Sequence, residues 1–217
     1  MKACIFDLDG TLVNTLESLM YSVDLTLQEM ELQPITKEQT RNFVGNGAKV
    51  LLEKVLEASG GNPKKQLEEA SLIYERVFDT YCNYHVKAYP GIKEVLLKLK
   101  QEGYKLGVLS NKPDKQAIKV VNSIFDKDLF DVVYGQKGQV KRKPNPEGLY
   151  KALEVLNVDK KNSIYIGDSE VDVATGLNAG IKTIAVAWGF RTEKELIEAG
   201  AKTIVHLPGE LYQEIKK

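Results

Sequence analysis

The sequence predicts an α/β fold: a doubly wound parallel sheet interrupted by an all-helical insert. Three observations carry that expectation. An apolar run, Ala3 to Phe6, opens the chain as a buried strand and stops at two aspartates, Asp7 and Asp9. From about residue 84 onward, short apolar runs alternate with stretches of helical periodicity, the pattern of a parallel sheet covered by helices. Between the two, residues 15–83 show helical periodicity alone. The expected division is a sheet domain of residues 1–14 and 84–217, with a helical domain at 15–83.

The elements follow in order. After Asn14, residues Leu16, Leu19, Met20, Val23, Leu27 and Met30 recur at helical spacing, and Asn14 with Glu17 has the form of a capping box. Thr36 with Gln39 marks a second helix start. A third helix begins near Gly47 and ends at "SGGNP", and a fourth runs from about Lys64 to Tyr81. In the second half, Ile92, Val95, Leu96 and Leu99 define a helix ended by Gly103. "KLGVLS" (105–110) is a strand and "PDKQAIKVVNSIF" a helix with Pro113 near its first position. "DVVYG" (131–135), "SIYIG" (163–167) and "TIAVAW" (183–188) read as strands, with "TIVH" (203–206) as an edge strand. "NPEGLYKALEVL", "DVATGLNAG" (capped by Gly180) and "EKELIEAG" are the intervening helices.

Composition narrows the function. With 43% hydrophobic residues, the 217-residue chain can bury a sizeable core. Thirty basic residues balance 30 acidic ones, which argues against a general nucleic-acid or membrane binder. The opening "MKACIFDLDG" does not have the form of a signal peptide, and no apolar stretch approaches the roughly 20 residues that span a bilayer. The expected location is the cytoplasm. Cys4 and Cys82 form no disulfide framework or metal spacing, and Cys4 reads as a small core hydrophobe.

In an open parallel sheet, ligands bind beyond the carboxyl ends of the strands. The first strand ends in Asp7 and Asp9, which at i, i+2 spacing can share a face. The next ends in Ser110-Asn111, expected directly before a helix N-terminus, a natural anion site. A later one ends in Gly167-Asp168-Ser169, with Asp172 four residues on from Asp168. Lys143 precedes Asn145-Pro146, a cap followed by proline, and so stands on a rigid mount. The carboxylates suit a hard divalent cation, with Mg²⁺ the best fit. The hydroxyl, the lysine and backbone amides suit a phosphate.

"DLDGTL", "VLSNKP", "KPNP" and "IGDSEVD", in this order, resemble the four motifs of the haloacid dehalogenase superfamily of phosphohydrolases. The resemblance covers nearly the whole chain and implies a Rossmann-like core with a helical cap. "FVGNGAKVLLEKVL" and "YPGIKEVLLKLKQEGYKLGVLSNKP" are similar to the phosphoglycolate phosphatase group, and the closing "VAWGF" fits it. The resemblance implies Asp7 as nucleophile and Asp9 as general acid and base. It implies Thr11, Ser110, Asn111 and Lys143 around the phosphoryl group. Mg²⁺ would be held by Asp7, the Asp9 carbonyl and Asp168, with Asp172 in support. One departure stands out: related phosphatases often carry a "GGD"-like stretch after the third core strand, where this chain reads "GQKGQ".

The implied substrate is a small phosphate monoester, 2-phosphoglycolate first. Its carboxylate would be met by the cap amides of Gly45, Asn46 and Gly47, with Arg41 adding charge. Asp9 argues against a dehalogenase. The absence of histidine before His85 argues against a β-phosphoglucomutase. A pyrophosphatase, a broad sugar-phosphate or nucleotide phosphatase, and a noncatalytic ligand-binding protein stay as alternatives. "GNGAKV" is no dinucleotide fingerprint, since Val50 stands where a third glycine is needed. In the basic run Lys137, Lys141, Arg142, Lys143, three charges are expected to be merely solvated. The oligomeric state is left open.

Overall fold

The structure, a computed structural model, describes residues 2–217. In chain order its elements are β1 (Ala3–Phe6), β2 (Val13–Asn14), α1 (Leu16–Glu29), α2 (Lys37–Phe43), α3 (Ala48–Ala58), α4 (Pro63–Tyr81), β3 (Lys87–Ala88), α5 (Ile92–Gln101) and β4 (Lys105–Pro113). They continue with α6 (Asp114–Ile124), β5 (Val132–Gln136), α7 (Glu147–Leu156), β6 (Ser163–Gly167), α8 (Glu170–Ala179), β7 (Lys182–Val186), α9 (Glu193–Glu198), β8 (Ile204–Val205) and α10 (Pro208–Lys216). The chain divides into two compact units: residues up to Asn14 together with Lys87–Lys217, and Thr15–Val86.

The first unit is a six-stranded parallel sheet in the order β5-β4-β1-β6-β7-β8, flanked by helices. All four residues of β1 are buried, as an apolar run in a central parallel strand must be. The order grows from β1 in one direction through β4 and β5, then in the other through β6, β7 and β8. Right-handed crossovers then place α5 and α6 on one face and α7 to α9 on the other. Ile5, Leu149, Leu153 and Tyr165 share a buried cluster beneath α7. Fully burying one such aliphatic side chain is worth about 1.5–3 kcal/mol. Cys4 is fully buried, and burial pushes its thiol up to about 12, so it acts as packing. The doubly wound reading therefore stands, and the point where the strand order reverses falls beside β1.

The second unit holds α1 to α4, packed through Leu19, Val23, Leu27, Leu52, Val55, Leu56 and Phe78, all buried. Its best local signal is at α2, where Thr36 and Gln39 form the expected capping box. Among the described residues, no helix is long and apolar enough to cross a membrane.

Four details differ from the sequence reading. Asn14 does not cap α1; it pairs with Lys87 in a two-stranded antiparallel ribbon, β2 with β3, and Thr15 takes the cap position without a side-chain bond. Strand β4 runs three residues past Ser110, because Pro113 still aligns with Gln136 of β5 across an irregularity in register. Strand β7 ends at Val186, two residues short of Trp188. Helix α10 was not anticipated: only Leu211 and Ile215 are buried along it, too few for a clear period.

Candidate active site

The site begins at the end of β1. The Asp7 N–H donates to Ile166 O at 2.8 Å, so the chain stays in register with β6 one residue beyond the strand. It then turns through Gly10, whose φ of 87° only glycine adopts readily. A Cβ on Gly10 would overlap the Asp168 carboxylate, so the same glycine also gives that side chain its room. Asp168 follows the end of β6. Thr11 Oγ1 donates to its Oδ1 at 3.0 Å and the Phe190 N–H to its Oδ2 at 2.8 Å.

Asp172 lies in the first turn of α8, where it forms a capping box with Ser169. Its Oδ2 accepts from the Ser169 N–H at 3.1 Å and from Ser169 Oγ at 2.6 Å. Its Oδ1 accepts from Lys143 Nζ at 2.7 Å and from the Tyr165 hydroxyl at 2.7 Å. Lys143 Nζ also lies 2.8 Å from Asp7 Oδ1 and donates to the Tyr165 hydroxyl at 3.0 Å. The lysine is clamped through its backbone: its N–H donates to Asn111 Oδ1 at 2.9 Å, and Asn111 Nδ2 donates to its carbonyl at 3.1 Å. Asn145 Oδ1 accepts from the Glu147 N–H at 3.0 Å, but α7 begins at Glu147, so Pro146, expected as the first helical residue, takes the cap position instead.

These contacts sort the sequence-predicted residues. Asp7, Lys143, Asp168 and Asp172 come together, and Thr11 joins them through Asp168. Asn111, expected beside phosphate, is committed by its amide to the Lys143 backbone. Asp172, expected to support the metal site, stays within the carboxylate cluster, and its two oxygens also accept hydrogen bonds from Lys143, Tyr165 and Ser169. Ser110 is buried, and its Oγ accepts the Lys112 N–H at 3.2 Å. The Asp9 carboxylate stands apart, 3.1 Å from Lys112 Nζ. Arg41 lies in the last turn of α2, and Gly45, Asn46 and Gly47 form the turn before α3, all in the second unit. In the basic run, Lys137 is exposed and pairs with Asp114, while Lys143 is buried in the site.

Two residues in contact with the predicted site escaped the sequence reading. Tyr165 left a usable signal, a phenol inside an apolar strand whose hydroxyl needs a partner. Lys112 left none beyond its place after Asn111.

The electrostatics show what the site lacks. Ligand atoms of Asp7, Asp168 and Asp172 all lie within 4.8 Å of one another, and all three residues are buried. Burial disfavours ionised Asp172, but the Lys143 ammonium and the surrounding hydrogen bonds outweigh it and hold its carboxyl below the usual range. Burial likewise opposes a charged Lys143, yet Asp172 and Asp7 keep its ammonium well above the ordinary value. Lys143 and Asp172 are thus the intact ion pair. Asp7 and Asp168 are the carboxylates in excess. Burial, then repulsion from Asp172, pushes Asp168 up to about 7 and Asp7 well above its ordinary value. Two buried carboxylates raised in this way form a hard-oxygen donor set short of one cation, and a divalent metal ion fits it.

Comparison with known proteins agrees with this geometry. The sequence pattern of the haloacid dehalogenase-like hydrolases matches residues 4–186. The phosphoglycolate phosphatase of Rhodobacter capsulatus is 34% identical over 192 residues, covering 87% of this chain and 85% of the relative. That of Aquifex aeolicus is 30% identical over 190 residues, covering 88% and 86%. Among solved structures, a protein of Lactobacillus delbrueckii subsp. bulgaricus matches with a TM-score of 0.92 at 29% identity, over 99% of each chain. A haloacid dehalogenase-like family hydrolase of Streptococcus pneumoniae shares the fold, with a TM-score of 0.87 at 24% identity, over 99% of this chain and 98% of that one. With its family pattern running from β1 to β7 and its carboxylates and lysine gathered at one sheet edge, this chain belongs to the haloacid dehalogenase-like hydrolases.

Proposed function

We propose that the protein hydrolyses 2-phosphoglycolate through an aspartyl-phosphate on Asp7, with Mg²⁺ as its metal. The broader class, a phosphoric monoester hydrolase, rests on the family and on its relatives. The observation that carries the reading is the surroundings of Asp7: a buried carboxylate 2.8 Å from the Lys143 ammonium and within ligand reach of Asp168. A nucleophile meant for a phosphate dianion needs cationic charge on both partners.

Asp7 and Asp168 would hold the metal with the Asp9 backbone carbonyl. When bound, the cation offsets the repulsion between Asp7 and the phosphoryl oxygens. The Asp7 carboxylate attacks phosphorus, and the bond from phosphorus to the leaving oxygen breaks. Asp9 gives its proton to that oxygen, releasing glycolate. Asp9 then takes a proton from water, which attacks phosphorus and frees both phosphate and Asp7. Lys143 and Ser110 bind the phosphoryl oxygens throughout. Asp172 and Tyr165 keep Lys143 charged and aimed. The Thr15–Val86 unit is our candidate for a cap, with Arg41 and Gly45 to Gly47 in its closing loop.

The test is phosphate release from 2-phosphoglycolate, p-nitrophenyl phosphate, pyrophosphate and sugar phosphates, with Mg²⁺ and with chelator. The expected result is a preference for 2-phosphoglycolate, loss of activity in chelator, and less than about a thousandth of the rate in Asp7→Asn. Equal turnover of all esters would replace the substrate with a broad specificity. An active Asp7→Asn would remove the covalent route.

A further inference from the structure

We propose that Lys112 determines specificity by binding the carboxylate of the substrate's leaving group. The inference rests on the 2-phosphoglycolate reading above. The catalytic groups around phosphorus are already matched: Lys143 serves Asp7 and Asp172, and Asp168 with Asp7 suits a metal. A second cation stands beside the other aspartate. Lys112 Nζ is 3.1 Å from Asp9 Oδ1, and the lysine side chain is only 2% exposed. That burial compares with 4% for the Lys143 side chain, so both ammonium groups are held inside the site rather than on the surface.

Its position follows from the longer β4. Because the strand continues to Pro113, Asn111 and Lys112 are consecutive residues near its end. Asn111 reaches the Lys143 backbone, and Lys112 reaches Asp9. One strand end therefore sets the phosphate-side lysine and places a second ammonium beside the acid.

The substrate's covalent structure supplies the rest. In 2-phosphoglycolate a single CH₂ joins the leaving oxygen to the carboxyl carbon. A carboxylate oxygen therefore lies roughly 3 Å from the leaving oxygen, about one hydrogen-bond length. Asp9 must touch the leaving oxygen to protonate it. A group within hydrogen-bond distance of Asp9 is thus within reach of the substrate carboxylate. An ammonium has three donors and can serve two carboxylates at once. Lys112 meets both conditions from inside the sheet unit. It moves the contact expected of the Arg41 and Gly45–Gly47 loop onto the catalytic unit itself.

The test compares 2-phosphoglycolate with ethyl phosphate, an alkyl ester without the carboxylate, in the parent, Lys112→Gln, Lys112→Arg and Arg41→Ala proteins. The reading is the ratio of the two kcat/KM values, which cancels any loss through Asp9 or through partial misfolding. The parent should favour 2-phosphoglycolate. Lys112→Gln should lower the ratio roughly 30-fold or more, the scale for losing one partner of a buried charged contact. Lys112→Arg, which keeps the charge and is the variant less prone to misfold, should hold the ratio within about tenfold of the parent. An unchanged ratio in Lys112→Gln would overturn the assignment. So would a ratio that collapses in Arg41→Ala and holds in Lys112→Gln. A parent with no preference for 2-phosphoglycolate would overturn the substrate reading itself and Lys112's role with it.

Discussion

Asp9 and Asp7 differ in company, in keeping with the different work proposed for them. Asp7 pairs with Lys143, while Asp9 pairs with Lys112 and is not one of the three clustered carboxylates. In the mechanism proposed above, Asp9, outside that cluster, handles the proton at the leaving oxygen. Asp9→Asn should therefore slow the release of an alkoxide far more than that of p-nitrophenolate, which needs no proton. Single-turnover release of the leaving group isolates this step from later hydrolysis of the intermediate. We expect a loss of ~10²–10⁴-fold on 2-phosphoglycolate and less than about tenfold on p-nitrophenyl phosphate. Equal losses would take the acid role from Asp9. Tyr165 makes a quieter contribution. Its hydroxyl links Lys143 to Asp172 at 3.0 and 2.7 Å. Tyr165→Phe should cost about 1.5–3 kcal/mol in urea unfolding, the scale for a hydrogen bond to a charged group, without abolishing turnover. Complete inactivation would make Tyr165 part of the chemistry rather than a support.

The elements explain what could be read in advance. The apolar run of β1 ending in two acids is visible because a central parallel strand must be apolar throughout, so its end is sharp. The turn from β6 into α8 is visible for a similar reason, with Ser169 and Asp172 spaced as a capping box. Lys112 was hidden because Ser110, Asn111 and Lys112 lie just before the end of β4 at Pro113. Polar residues read as a loop, although pairing with β5 continues at Pro113. Asn14 misled in the opposite way: its local cap pattern lost to the ribbon with Lys87, a partner far along the chain. Local pattern finds what neighbours decide, and pairing at a distance decides the rest. Two glycines test this at the level of elements. A Cβ on Gly167, the last residue of β6, would strike Asp172. Gly167→Ala should then destabilise by about 1–3 kcal/mol and cut activity sharply, because Asp172 can no longer hold Lys143. Gly209, in the first turn of α10, has nothing within 4 Å of an added Cβ. Gly209→Ala should leave activity unchanged and raise stability by about 0.4–1 kcal/mol. Urea unfolding with activity assays checks both, and equal effects at the two positions would refute the steric account.

At the scale of the whole molecule, the strand order gathers residues from opposite ends of the sequence. The Thr11–Asp168 hydrogen bond spans 157 positions. The cost of gathering them is charge, and it should appear in the stability of the metal-free protein. For Asp168, raised to about 7, and Asp7, raised well above its ordinary value, the folded state holds a proton that the unfolded chain has already lost. Unfolding releases that proton, so stability falls as pH rises from about 4 through 7. Asp172 works the other way, but its depressed carboxyl gives up stability only as pH falls below the ordinary 3.8. Raised Lys143 loses its contribution only above the ordinary 10.5. Neither window reaches pH 5.5–8. In chelator, the protein should therefore melt at a lower temperature at pH 8 than at pH 5.5. Stabilisation by Mg²⁺ should follow the opposite trend, larger at pH 8 than at pH 5.5, because it needs both carboxylates ionised and competes with protons for them at pH 5.5. At about 100 times its dissociation constant at pH 8, bound Mg²⁺ adds about 2.7 kcal/mol, or roughly 5–10 °C for a chain of this size. At the same concentration and pH 5.5 the shift should be less than about half of that. Thermal melts at both pH values, with and without Mg²⁺, decide it. A Mg²⁺ shift of equal size at both would mean that the ion binds without displacing protons from Asp7 and Asp168. The carboxylate cluster would then lose its claim to the metal.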